Sequence, residues 1–283
     1  MRDNRLISDE EHTDLEIDLL LQAVNRVYGY DFHHYAKASL RRRMTNLMTS
    51  EHMQHISELI PGIMHDKFLF ERLLQEMSIT VTSMFRDPKI FYLLKEKVVT
   101  KLQTYPYINV WHAGCATGEE AYSVAIMLHE AGLLARSRIY ATDYNNQSLA
   151  IAEKGIYPLQ NLREYGENYR QAGGQGSFAD YFIERHGKAL FDPALREKIT
   201  FAHHNLMKDE SFAEMHLILC RNVLIYFDSD LKNRVLKVIS NSLVQRGFLM
   251  LGDKETLELT SVTSEFECIS PRSRIYQKKL QLN

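Results

Sequence analysis

Residues 108–130 join a short apolar run directly to a helical pattern through the glycine turn GCATG at 114–118. The run INVWHA predicts a strand, and residues 119–130 predict a helix. Glycines between them let the backbone turn tightly and approach a ligand that a side chain would block. A strand, a glycine turn and a helix in this order indicate an α/β fold with a nucleotide-like ligand at the helix start.

The chain after residue 107 repeats this alternation of short strands and helices. Strands are predicted at RIYAT, ITFAH, HLILC and GFLMLG, and helices at 146–154 and 229–243. This order predicts a mostly parallel, doubly wound sheet, with FECISPRSRIYQKK forming an antiparallel hairpin at its edge. The order breaks after residue 155, which predicts a small inserted subdomain at roughly 157–198.

The first 76 residues have a different, helical periodicity. Helices are predicted up to a stop at Gly29, from about His34 to Met48, and at 66–77. The first of these carries apolar residues at helical spacing, namely Leu15, Leu19, Leu20, Val24 and Val27. We therefore expect an all-helical N-terminal domain at 1–80 and an α/β domain at 81–283.

Composition excludes several classes of protein. The 34 basic and 36 acidic residues nearly cancel, which disfavours a general nucleic-acid or membrane-surface binder. No apolar run reaches the roughly 20 residues that span a bilayer, and the charged N-terminus does not resemble a signal peptide. The three cysteines form no CxxC pair, which disfavours zinc or disulfides. We expect a cytoplasmic monomer without direct membrane insertion.

The glycine turn restricts the ligand without identifying it. It does not match GxGxxG, because Ala116 and Thr117 precede the second glycine, and it lacks the P-loop Lys-Ser/Thr pair. ATP and GTP are therefore disfavoured, whereas NAD remains open. His pairs occur at 33–34, 52 with 55, and 203–204, but none has the third ligand of a complete site, so no metal is expected.

Polar residues follow three further strands. Asp143 ends the second strand and can accept both hydroxyl hydrogens of a ribose, or it can simply form a turn in TDYNN. Asn205 and Asn222 end the next two strands. Because the carboxyl ends of parallel strands meet at one edge, we expect these side chains to line one crevice with the glycine turn.

These motifs together resemble one family. GCATGEE with AYS, then ATDY, HNLM and CRNVLIYFD, resembles the CheR-type chemotaxis receptor glutamate methyltransferases. ITVTSMFRD resembles that family's segment entering the catalytic domain, and GYDF with LRRRM resembles its N-terminal domain. The resemblance spans roughly residues 25 to 279. It implies a Rossmann-like class I methyltransferase with a seven-stranded sheet, S-adenosylmethionine as cofactor and S-adenosylhomocysteine as product.

The resemblance also implies roles for individual residues. Arg86 would lie near the methionine carboxylate or the acceptor, and Tyr226 would be a wall or hydrogen-bond donor, both orienting the acceptor rather than acting as acid or base. Glu119 would bind near the methionine amino group, Asp143 would hold the ribose, and Asn205 with Leu206 would flank the adenine. The remaining cofactor contacts would come from Thr80, Thr82, Gly114, Asn222 and Val223.

Two positions depart from the family pattern. The family commonly has Asn where this chain has Thr80. The motif after the fifth strand usually reads like GHSE but is GDKE at residues 252–255 here. We assign no role to Asp253 or Lys254.

The implied partner is the cytoplasmic helical domain of methyl-accepting chemotaxis receptors. Lys37, Arg41, Arg42 and Arg43 would dock an acidic receptor helix, although a solvated basic face explains them equally well. Some relatives also bind a peptide at the receptor C-terminus through a loop of the inserted subdomain. The stretch YFIERHGKALFDPAL lacks that loop's extra glycines, so we expect no dependence on a receptor-tail pentapeptide.

Two alternatives stay open. One is a methyltransferase for another acceptor, since the cofactor residues do not define the acceptor. Asn222-Val223-Leu224-Ile225 differs from the Asn/Asp-Pro-Pro-Tyr motif, which argues against methylation of base amino groups. The other is a non-catalytic module that senses S-adenosylmethionine or docks on a receptor, and the altered GDKE segment allows it.

Overall fold

A computed structural model of the chain describes residues 7–77 and 82–280. The chain divides into two compact units. The helical unit lies within Met1–Ile79 and Tyr226–Leu231, and the sheet unit lies within Thr80–Ile225 and Lys232–Asn283. Among the described residues, no helix is both long and apolar enough to cross a membrane.

The helical unit has four α-helices in its described part: α1 Asp9–Tyr28, α2 Lys37–Ser50, α3 Leu59–His65 and α4 Lys67–Met77. A capping box begins α1, because Ser8 accepts from the Glu11 N–H and the Glu11 carboxylate accepts from the Ser8 N–H. Gly29 ends it in the left-handed conformation, φ 75°, as predicted. An all-helical N-terminal region is therefore confirmed.

One face of α1 forms much of this unit's core. Leu20 and Val24 are fully buried, whereas Leu15 and Leu19 are about half exposed although they belong to the same apolar pattern. Helical spacing thus identified the helix correctly but assigned too wide an apolar face to the core.

The sheet unit is built on a seven-stranded sheet in the order β6-β2-β1-β7-β8-β10-β9 within the described residues. The first five strands are mutually parallel, and β10 pairs antiparallel with both β8 and β9. This confirms the predicted mostly parallel sheet with an edge hairpin. The strands are β1 Ile108–Ala113, β2 Ser137–Asp143, β6 Ile199–His203, β7 Met215–Cys220, β8 Leu243–Leu251, β9 Phe266–Ser270 and β10 Ile275–Lys278.

Helices connect the strands of this sheet, and the two that directly follow β1 and β2 begin at its carboxyl edge. A π-helical turn, Lys95–Val99, joins α5 to α6. The helices of the sheet unit are α5 Pro88–Leu94, α6 Thr100–Leu102, α7 Glu119–Glu130, α8 Asn146–Lys154, α9 Leu162–Gln171, α10 Pro193–Arg196 and the part of α11 Ser229–Ser242 from Lys232 onward. The core beside α7 is dense, with Val110, Tyr122 and Ile139 fully buried.

The interruption after residue 155 contains a second, three-stranded antiparallel sheet, which confirms the predicted inserted β structure. Its strands are β3 Ile156–Pro158, β4 Phe182–Arg185 and β5 Lys188–Phe191. A two-residue turn, His186-Gly187, joins β4 to β5 with both residues at positive φ. Helix α9 lies between β3 and β4 in the chain.

We expect Leu20→Ala to lower the free energy of unfolding by about 2–5 kcal/mol, because it removes buried methyl groups and leaves a cavity. Leu19→Ala, one residue earlier in the same helix, is the matched control and should change stability by at most about 0.5 kcal/mol. Urea denaturation of the full chain measures both. Equal effects of the two substitutions would contradict the burial of Leu20.

Candidate cofactor site

The glycine turn between β1 and α7 is anchored to the end of β2. The N–H groups of Gly114 and Cys115 both donate to the Thr142 carbonyl, at 2.8 and 2.9 Å. Gly114 has φ 78°, and a Cβ there would lie 2.5 Å from a methyl of Val223. Gly118 has φ 91°, and its Cβ would meet Ala152 at 2.7 Å. Both positions therefore require glycine.

Asp143 holds this turn from the neighbouring strand. Its Oδ2 accepts from the N–H of Ala116 at 2.8 Å, and its Oδ1 accepts from the N–H of Asn145 at 2.9 Å. Burial raises the pKa of Asp143 above its ordinary value in spite of these donors. The carboxylate therefore forms the turn that TDYNN predicts and also fixes Ala116, and its contact with a ribose stays a prediction.

Glu119 begins α7 and is buried beside the turn. Its Oε2 accepts from the Thr117 hydroxyl at 2.6 Å, and its Oε1 accepts from the Tyr165 hydroxyl at 3.5 Å. Burial raises the pKa of Glu119. The Tyr157 hydroxyl donates to the Thr117 carbonyl at 2.7 Å. The inserted segment thus braces the turn with two tyrosines that the sequence analysis missed.

Asn205 follows β6 and is also buried. Its Oδ1 accepts from the N–H of Met207 at 3.0 Å, while its own N–H donates to Asp209 at 2.7 Å. The preceding residue, His204, donates its N–H to the Asp143 carbonyl at 3.1 Å. Leu206 is buried in the same turn. The ends of β6 and β2 therefore meet, as the strand-end argument predicts.

The loop after β7 is held by Glu255, another residue that the sequence analysis missed. Its carboxylate accepts from the N–H groups of Asn222 at 2.9 Å, Leu224 at 2.7 Å and Gly252 at 2.7 Å. It also accepts a backbone hydrogen bond from Val223. Burial raises the pKa of Glu255 despite these four donors. Asn222 itself has φ 59°, a left-handed conformation that needs such support.

The altered GDKE segment has a simple structural explanation. Asp253 and Lys254, where the chain departs from the family pattern, are exposed. Gly252 and Glu255, which it keeps, are buried. A Cβ on Gly252 would lie 2.8 Å from Glu255 Oε2 and 2.9 Å from the Asn222 nitrogen. The two retained residues make the contacts, and the two changed ones are free to vary.

Thr82 and Arg86 lie in an irregular segment before α5, both partly exposed. The N–H of Phe85 donates to the Ser123 hydroxyl of α7 at 2.8 Å, and Asn168 of α9 donates to the Met84 carbonyl at 3.1 Å. These contacts tie the segment to the helix that begins at Glu119. Thr80, the other predicted contact, lies outside the described residues.

The second predicted orienting residue, Tyr226, belongs to the helical unit. The guanidinium carbon of Arg43 lies 5.1 Å from its ring centroid, a cation–π distance. Arg43 is buried and also donates to Ser39 and to the Glu76 carbonyl. This arginine is therefore part of the unit's interior.

The other basic residues of α2 differ in their surroundings. Arg41 forms a bidentate pair with Asp14, at 2.6 and 2.8 Å, and also contacts Glu10 of α1. Lys37 lies 3.6 Å from Asp14 with 78% of its side chain exposed, and Arg42 is exposed. Of the four predicted docking residues, Lys37 and Arg42 thus present their charge to solvent.

The carboxyl edge of the sheet can hold a nucleoside-like ligand. It brings together the glycine turn, Asp143, Asn205 and Asn222. Within the described residues, Oδ1 of Asn222 is buried without a hydrogen-bond partner, so an acceptor remains there for a ligand donor. No three His, Cys, Asp or Glu side chains in residues 7–77 and 82–280 form a group that could hold a metal ion.

We expect Glu255→Gln to lower the free energy of unfolding by about 1–3 kcal/mol, because an amide nitrogen would face backbone N–H donors. Glu258→Gln is the matched control, since Glu258 is exposed on the same loop. Urea denaturation of both variants tests this. A Glu255→Gln variant as stable as the control would refute the role of this carboxylate.

Comparison with known families gives two matches that cover most of the chain. The model of the CheR methyltransferase, SAM binding domain, matches residues 80–275. The model of the CheR methyltransferase, all-alpha domain, matches residues 15–78.

Similar proteins align with most of this chain. A Pseudomonas putida protein named "Putative methyltransferase Cher3" is 46% identical, covering 96% of this chain and 100% of its own. The chemotaxis protein methyltransferase of Listeria innocua is 29% identical, covering 86% of this chain and 92% of that protein. Chemotaxis protein methyltransferase 1 of Pseudomonas aeruginosa is 29% identical, with coverages of 76% and 80%.

The family matches follow the two compact units, and the matched sheet unit carries the glycine turn and the strand-end residues described above. The chain therefore belongs to the CheR methyltransferase family, with a Rossmann-like methyltransferase fold and S-adenosylmethionine as its cofactor.

Proposed function

We propose that this chain methylates glutamate side chains in the cytoplasmic helical domain of methyl-accepting chemotaxis receptors, giving glutamyl methyl esters. The carrying observation is the convergence of Glu119, Asp143 and the Asn222 loop with the glycine turn, where each is held by buried contacts. The names of the Listeria and Pseudomonas aeruginosa relatives support a chemotaxis substrate. Such receptors would place the enzyme in the cytoplasm, and we propose that it acts as a monomer.

The described residues fit the cofactor in chemistry. Asp143 would accept from the ribose hydroxyls, Glu119 would neutralise the methionine ammonium, and the unpartnered Asn222 Oδ1 offers a further acceptor. Asn205, Leu206 and Val223 would line the adenine and sulfonium regions. When bound, S-adenosylmethionine supplies a methyl group activated by the positive sulfonium.

The acceptor needs orientation rather than proton transfer. A glutamate side chain has an ordinary pKa of about 4.3 and is already an ionised nucleophile at neutral pH. Arg86 would align this carboxylate or the cofactor carboxylate, with Tyr226 as a wall or hydrogen-bond donor. Alignment and exclusion of water would lower the barrier, because the opposite charges cancel during transfer. Each methylation would remove one negative charge from the receptor helix and weaken like-charge repulsion there.

Two features support our proposals about receptor docking. Lys37 and Arg42 are exposed cations on α2 that an acidic receptor helix could contact. The β4–β5 hairpin closes with the two-residue turn His186-Gly187, which supports catalysis without a receptor-tail pentapeptide.

A purely non-catalytic module gains no support from the GDKE segment, since Gly252 and Glu255 hold the Asn222 loop.

Radiolabelled methyl from S-adenosylmethionine should be transferred to receptor cytoplasmic fragments and be released by mild alkali. Asp143→Ala should reduce transfer by at least about tenfold, because loss of a charged hydrogen bond costs about 1.5 kcal/mol or more. Glu184→Ala, an exposed carboxylate on β4, is the control and should retain full transfer. Alkali-stable label would indicate another acceptor, and cofactor binding without transfer would indicate a sensing module.

Cofactor affinity should fall as the solution becomes acidic. Burial raises the pKa of Glu119 above 4.5 and that of Asp143 above 3.8, and both must be ionised to hold the cofactor. Affinity is therefore full at neutral pH and is lost as the pH falls through the raised values, by about tenfold per pH unit for each group. Calorimetry that lowers the pH from about 7.5 to the ordinary carboxyl range of about 4 measures this dependence.

Glu119→Gln provides the control for this pH dependence. It should bind more weakly at neutral pH and show a shallower pH profile, since only Asp143 then titrates. Equal affinity of the unsubstituted protein across the whole range would contradict the prediction.

A further inference from the structure

Arg221 of the sheet unit contacts both the segment before α5 and the first turn of α7. It follows β7 directly, and only 1% of its side chain is exposed. Nη1 donates to Glu120 Oε2 at 2.6 Å, and Nη2 donates to Asp87 Oδ2 at 2.6 Å. Nη1 also lies 3.3 Å from the carbonyl oxygen of Arg86, which accepts from it.

Removing the Arg221 guanidinium would destabilise the fold, because carboxylates around it depend on its positive charge. Glu120 is buried, so its carboxylate depends on Arg221 for compensation. Nε2 of His112 lies 3.5 Å from the other Glu120 oxygen, but burial lowers the pKa of His112, which favours its neutral form. Asp87 and Glu120 therefore share one buried cation, which also lies 5.8 Å from the ring of Phe91.

The segment that Arg221 contacts is locally strained. Phe85 and Asp87 have φ values of 51° and 58°, left-handed conformations that are costly for residues other than glycine. Arg86 lies between them, so its direction depends on contacts that keep both neighbours in place. Ser123 holds Phe85 on one side, and Arg221 holds Asp87 and the Arg86 carbonyl on the other.

We propose that Arg221 is a positioning residue that fixes the backbone of Arg86 relative to Glu119 and Asn222. It is covalently next to Asn222, and its partner Glu120 is covalently next to Glu119. One side chain thus sets the geometry of three groups around the methionine end of the cofactor. The inference rests on the proposed role of Arg86 at that end.

Asp87→Asn tests this in the full chain, because Asp87 is partly exposed and its loss leaves the Arg221–Glu120 pair intact. Calorimetry compares two ligands: S-adenosylhomocysteine, and 5′-methylthioadenosine, which lacks the amino-acid end. Affinity for S-adenosylhomocysteine should fall by about ten- to hundredfold, while affinity for 5′-methylthioadenosine should stay unchanged. Equal weakening of both ligands, or no change in either, would overturn the proposal.

A double-mutant cycle then shows whether the effect passes through Arg86. Asp87→Asn should cost almost nothing more when introduced into Arg86→Ala, whereas additive losses would overturn the proposal. Arg221→Met should weaken S-adenosylhomocysteine in the same selective way, and if this variant does not fold, Asp87→Asn still decides. No acceptor protein is needed, so an error in the proposed methylation substrate would not affect either outcome.

Discussion

Buried carboxylates that accept backbone N–H groups hold the loops at the carboxyl edge of the sheet. Asp143 binds the glycine turn at Ala116, and Glu255 binds four N–H groups around Asn222 and Gly252. Burial disfavours a charged carboxylate and raises its pKa, while several N–H donors restore much of the lost solvation. Beyond a strand end, the backbone N–H groups no longer bond to a neighbouring strand. They can therefore donate to such a carboxylate, and no further side chains are needed as donors.

The same loops concentrate backbone strain. Phe85, Ala116 and Asn222 all have positive φ, and each has its own N–H bound to a side chain from another element. Left-handed conformations of such residues cost of order 1–3 kcal/mol each and persist only where surrounding contacts determine them. The side chains that bind these loops therefore stabilise their strained backbone. These contacts within the protein shape the cofactor site, which reduces the ordering cost of binding.

The local parts of this architecture could be predicted from sequence, whereas the long-range contacts could not. Periodicity identified α7 and β1, and the strand-end rule placed Asp143 and Asn205 together. Nothing in local pattern connects Arg221 with Asp87, 134 positions away along the chain. Glu255 did leave a signal, because GDKE keeps the first and last residues of the family's usual motif and these two make the contacts. Tyr157 and Tyr165 left none, since their partners lie in another element.

Helix α2 contains a run of basic residues that differ in burial. Arg43 lies three residues after Leu40 and four before Leu47, so helical spacing puts it on the apolar face, where it is buried, while Arg42 points away. Arg41 is neutralised by Asp14 and Glu10 of α1, so charges of both signs lie beside one another along α1 and α2. Opposite charges a few ångströms apart cancel beyond a Debye length of about 8 Å, so this helix offers little long-range steering. Under the proposed function, selection of one glutamate among many on an acidic receptor would then depend on short-range contacts at the methyl-transfer site.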